Sequence, residues 1–90
     1  MAFLVGVFEG DYETWKQGFD ADPLGRKQIA KGHTLLRGLE NPNEIFVRIE
    51  FDSAEDAKAL QDKVRGSDVL ADVTVKVPPT VVELADQATY

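Results

Sequence analysis

Ninety residues with a net charge of −6 make one domain with a modest core, since a chain of this size buries only somewhat more than roughly 60% of its unfolded surface. With 43% hydrophobic and 29% charged residues it has the proportions of a folded soluble domain, and its acidic balance argues against nucleic-acid binding: Arg26, Lys27 and Lys31 form the one small basic cluster. The absence of cysteine excludes disulfides, thiolate catalysis and sulfur-bound metal, and it favours a reducing compartment, the cytoplasm.

Residues 2–8, AFLVGVF, are apolar at odd and even positions alike, the pattern of a strand covered on both faces. The run has no basic residue before it and an acidic flank after it, which fits neither a signal peptide nor a membrane span. Asp11 then offers an N-cap oxygen, and Tyr12, Trp15 and Phe19 recur at i, i+3 and i+7, one aromatic stripe of a helix packed on the sheet. Trp15 and Phe19 read first as core, and second as the wall of a pocket between helix and sheet. Gly18 weakens this helix and Pro23 breaks it, because the residue before a proline is pushed out of the α region. A short helix over 24–31 ends at Gly32.

A hairpin follows, with arms at 33–40 and 44–51. Asn41-Pro42-Asn43-Glu44 has the residues of a type I turn: asparagine to bond its own backbone, then proline with φ already set. Counting outward from that turn pairs Leu39 with Phe46, Arg37 with Arg48 and Leu35 with Glu50. Ile45, Val47, Ile49 and Phe51, with Leu36 and Gly38 opposite, then lie under the helices. His33, Leu35, Arg37, Leu39, Phe46, Arg48 and Glu50 share the other face.

Ser53 caps the next helix, with Asp56 three residues on as a short capping box and Ala57, Leu60 and Val64 as its apolar stripe. Residues 72–77, DVTVKV, alternate as a strand with one polar face. Pro78-Pro79 ends its ladder, leaving 78–90 as a C-terminal arm or edge strand.

The order strand, helix, strand, strand, helix, strand is the ferredoxin-like βαββαβ sandwich, an α+β fold with a four-stranded antiparallel sheet and helices on one face. The uncovered face carries Phe46 and either Phe3, Val5 and Val7 or Leu4 and Phe8. Monomers seldom leave such a patch in water, so two copies are expected to stack as a homodimer, a dimeric α+β barrel.

Two arginines opposite each other repel unless something negative lies between them. On one reading Glu50 satisfies Arg37 and Arg48 in a network that knits the dimer. On the other, Arg37, Phe46, Arg48 and Glu50 line a cavity for a small ligand carrying a carboxylate, phenolate or enolate. His33, the only histidine, is the candidate general base. One histidine without cysteine furnishes no transition-metal site, and the carboxylates lack EF-hand spacing. No cofactor motif stands in the chain: GxGxxG, GxxxxGK[ST], GxSxG and HExxH are all missing.

The segments WKQGFD (15–20), RKQIAKGH (26–33), RGLENPNEIFVRIEFDS (37–53) and EDAKAL (55–60) resemble the small stand-alone proteins of the dimeric α+β barrel superfamily, including antibiotic-biosynthesis-monooxygenase-like and EthD-like proteins. The resemblance implies a homodimer with a cavity between each sheet and its own helices or inside the shared barrel. Some relatives oxidise aromatic polyketides or quinols without metal or flavin, some bind haem or small organic acids, and some isomerise lactones. The expectation is therefore a cofactor-independent monooxygenase or isomerase of a small aromatic or acidic molecule. A non-catalytic dimerisation or ligand-sensing module stays open beside it.

Overall fold

A computed structural model describes residues 1–90. Its elements are β1 (Ala2–Glu9), α1 (Tyr12–Ala21), a single-turn α2 (Arg26–Ile29), β2 (Gly32–Arg37), β3 (Glu44–Phe51), α3 (Ala54–Arg65) and β4 (Thr74–Glu83). The strands form one antiparallel sheet in the order β2-β3-β1-β4, with β1 and β3 at its centre. No helix is long and apolar enough to cross a membrane.

Strict alternation fixes the two central strands. Leu4 and Phe8 of β1 and Ile45, Val47, Ile49 and Phe51 of β3 are buried, and Ala57 and Leu60 of α3 close over them. Each large apolar side chain so covered contributes about 1.5–3 kcal/mol. The opposite face holds Phe3, Val5 and Val7, paired across the ladder with Glu50, Arg48 and Phe46.

The caps follow the sequence. Asp11 accepts from the Thr14 amide at 2.9 Å, and Ser53 accepts from the Asp56 amide at 3.2 Å. α1 ends at Asp22 in the left-handed region (φ 54°), Gly25 repeats that conformation at φ 72°, and α2 starts directly after it. The second helix is thus one turn, shorter than the expected 24–31.

Two expectations are corrected. Pro78-Pro79 does not end the last ladder: β4 runs through both prolines, and its register against β1 slips by one residue between Val5 and Val7 and again between Val7 and Phe8. An edge strand tolerates proline, whose missing N–H faces outward, and Gln61 of α3 donates to the Pro79 carbonyl at 2.9 Å.

The hairpin register also differs. The turn forms, with the Glu44 amide on the Asn41 carbonyl at 2.9 Å and the Asn43 amide on Asn41 Oδ1 at 3.2 Å. Gly38, Leu39 and Glu40, however, belong to a longer loop closed by the Gly38 amide on the Glu44 carbonyl at 3.0 Å. Arg37 therefore pairs with Ile45, Leu36 with Phe46, Leu35 with Val47, Thr34 with Arg48 and His33 with Ile49. The offset is odd and side chains alternate, so every β2 residue changes face.

Candidate functional site

α1 crosses the sheet without fully burying any of its residues. It stands off β1 and β3, and between it, α3 and the sheet lies a cavity of about 370 Å³, within the usual range for a small-molecule pocket. Its walls are mostly apolar, among them Leu4, Val47, Ile49, Leu60, Trp15 and Phe19.

The aromatic stripe of α1 sets three rings in a row, one pair of them stacked. Trp15 lies on Phe19 with centroids 4.8 Å apart and planes at 22°, and Tyr12 follows at 6.5 Å from Trp15. A guanidinium sits at each end: Arg37 over Tyr12 at 4.4 Å and Arg26 over Phe19 at 3.6 Å. Arg37 Nε also donates to the Pro42 carbonyl at 3.1 Å. His33 meets the Phe19 ring edge-on, at 4.9 Å and 86°. Desolvation, with the positive charges of Arg26 and Lys16 beside it, holds the imidazole below its ordinary pKa.

The residues expected to share one surface therefore divide between two. Trp15 and Phe19 line the cavity, while Arg37 and His33 stand on the helix side, against the stack and off the cavity wall. Phe46, Arg48 and Glu50 lie on the open face. Arg48 reaches Thr34 Oγ1 at 3.3 Å and lies 5.6 Å from the Phe3 ring. Arg37 and Arg48 do not oppose each other, and no ion pair joins Glu50 to either.

Sequence reasoning passed over Arg26, counting it only as part of a basic cluster. It is the one buried charged residue, 6% exposed, and it lies on the cavity wall. The left-handed turn at Asp22 and Gly25 aims it inward, and Asp22 accepts from the Arg26 amide at 2.8 Å. The signal available was the Asp-Pro-Leu-Gly turn before it, which sets position 26 apart from Lys27 and Lys31.

No protein-family model matches the chain, and no curated protein does. Solved structures do, and two of them are informative. A "putative antibiotic biosynthesis monooxygenase" from Deinococcus radiodurans superposes with TM-score 0.70 at 15% identity, covering 100% of this chain and 98% of its own. A second protein so described, from Nitrosomonas europaea, gives 0.51 at 16% identity, covering 91% and 94%. This chain has their fold. That ferredoxin-like fold accounts for the sheet order and for helices on one face only. It assigns no reaction to Arg26, His33 or the aromatic stack.

Proposed function

We propose that this protein binds a small, partly aromatic or acidic molecule in the cavity beneath α1, and that it works as a homodimer joined through the open face of the sheet. The observation that carries the reading is the stand-off of α1, which leaves an apolar cavity faced by two stacked aromatic rings. The open face supports the dimer: Phe3, Val5, Val7, Leu36, Phe46 and Val77 line a side that no helix covers.

Binding is favoured over catalysis because His33, the only imidazole, stands behind Phe19 and not on the cavity wall. Monooxygenation is the reaction suggested by the description of the two structural neighbours, and isomerisation is its competitor.

Trp15 is the only tryptophan, so its fluorescence reports cavity occupancy directly. Titration with naphthols, quinols and small aromatic acids is expected to quench it saturably and to raise the melting temperature together. Strictly linear quenching with no thermal shift across the panel would remove the binding reading. Oxygen uptake and product analysis with a compound that binds decide the chemistry: steady consumption marks an oxygenase, a rearranged product without consumption an isomerase, and neither a binding module.

A further inference from the structure

We propose that Arg26 is the anion anchor of this cavity and that its ligand is an aromatic monocarboxylate, an inference that rests on the binding reading above. Arg26 is 93% buried at the side chain, yet its hydrogen-bonding capacity is not used up. Nη1 donates to the Phe19 carbonyl at 2.9 Å, while Nη2 is buried with no partner. Most buried polar groups are satisfied, and one that is not calls for an explanation.

The neighbours do not supply one. Asp22 lies 3.7 Å from Nη1, beyond hydrogen-bonding distance, and its two oxygens accept from the Arg26 and Lys27 amides at 2.8 and 3.1 Å. The guanidinium carbon sits over the Phe19 ring, 3.6 Å from its centroid, within cation–π range. A guanidinium directs its N–H bonds in its own plane, so the ring covers it without receiving the Nη2 protons. A carboxylate is the acceptor whose geometry matches that fork. It approaches Nη2 along the guanidinium plane, from the cavity that Arg26 lines, and because Nη2 is buried the wall parts to admit it.

The remainder of the wall restricts the ligand further. Arg26 is the only basic residue lining the cavity, whereas Asp11, Asp22 and Asp72 all line it. With one cation among three carboxylates the wall is acidic on balance, so every negative charge on a ligand is repelled, and a monoanion held by Arg26 is repelled less than a dianion such as a phosphate ester. Trp15 and Phe19, stacked at 4.8 Å, give this part of the wall aromatic character, which favours an arene as the body of the ligand.

Calorimetric titration compares 2-naphthoate, its neutral isostere 2-naphthamide and 2-naphthyl phosphate. The wild type is expected to bind naphthoate roughly 10- to 100-fold more tightly than the amide, the worth of one charge-assisted hydrogen bond, and more tightly than the phosphate. Arg26→Gln is expected to abolish the preference and keep the amide affinity. Because that variant also loses the bond to the Phe19 carbonyl and can unfold, the Arg26 side-chain ¹⁵N resonances of the wild type give a second reading. They move with naphthoate and stay in place with the amide. Equal binding of acid and amide, stronger binding of the phosphate, or unmoved Arg26 resonances would overturn the anchor while leaving the cavity reading intact. Failure of all three compounds to bind would remove both.

Discussion

Phe19 is touched by two basic side chains with opposite demands. Arg26 lies on its face, where the π system attracts positive charge, and His33 meets it edge-on, where a neutral imidazole suffices. Desolvation comes first among the causes that hold His33 below its usual value, and the charge of Arg26 second. The sign of the consequence is fixed by linkage. The unfolded chain takes up the imidazole proton near pH 6.5, whereas the folded chain does so only at lower pH. Stability assigned to His33 is therefore complete above the unfolded value and is lost as pH falls through the folded one. Melting curves of the wild type and His33→Gln at pH 7.5 and pH 5 test this. The wild type is expected to lose more stability on acidification than the variant, by a small margin because the imidazole is exposed. An identical loss in both would mean that His33 titrates alike folded and unfolded.

The elements show where pattern decides and where it does not. β3 alternates strictly from Ile45 to Phe51, so its buried face was legible in the sequence, as were the caps at Asp11 and Ser53 and the open-face trio Phe3, Val5 and Val7 as one of two alternatives. β2 carries Leu35 and Leu36 side by side, and either can supply the core, so hydrophobic pattern is silent on its face. Counting from the turn gives the wrong face, because three residues join the loop instead of the ladder. What fixes the face is tertiary: His33 packs on Phe19 and Arg37 on Tyr12, contacts with α1 that no reading of the hairpin alone contains. The candidate site was half legible for the same reason, with Trp15 and Phe19 visible as a stripe and Arg26 hidden in a turn. Gly38 is the residue that lets the longer loop close, since a Cβ there would stand 2.6 Å from the backbone oxygen of Asn41, which cannot swing away like a side chain. Gly38→Ala is expected to cost about 1–3 kcal/mol and to lower Tm by about 4 °C or more. Gly32→Ala, with nothing within 4 Å of the added carbon, serves as the control in the same thermal melts. Equal Tm values for the two would show that the loop relaxes freely.

At the scale of the molecule the surface is too large for its mass. A 10.0 kDa chain exposing 6054 Å² exceeds the roughly 5,200 Å² typical of a folded monomer that size, and the excess is close to the ~800 Å² that each partner buries in a standard interface. Residues 84–90 are all exposed, and so are Leu36, Phe46 and Val77 on the open sheet face. In a homodimer joined across that face, Val7 sits beside Phe46 and Val77, its cross-strand neighbours, where an added carboxylate goes unpaired in the interface. In a lone subunit the same carboxylate has water on one side and the fold survives. Val7→Glu is therefore expected to change assembly more than structure: sedimentation at micromolar concentration gives twice 10.0 kDa for the wild type and a single subunit for the variant, with matching circular dichroism. The cavity lies on the opposite side of the sheet, among residues of one subunit, so the monomeric variant is expected to keep saturable quenching of Trp15. A wild type that sediments as one subunit removes the dimer and leaves the cavity standing. A variant that falls apart into subunits and loses the Trp15 response couples the two faces, and moves the binding site from the subunit to the assembly.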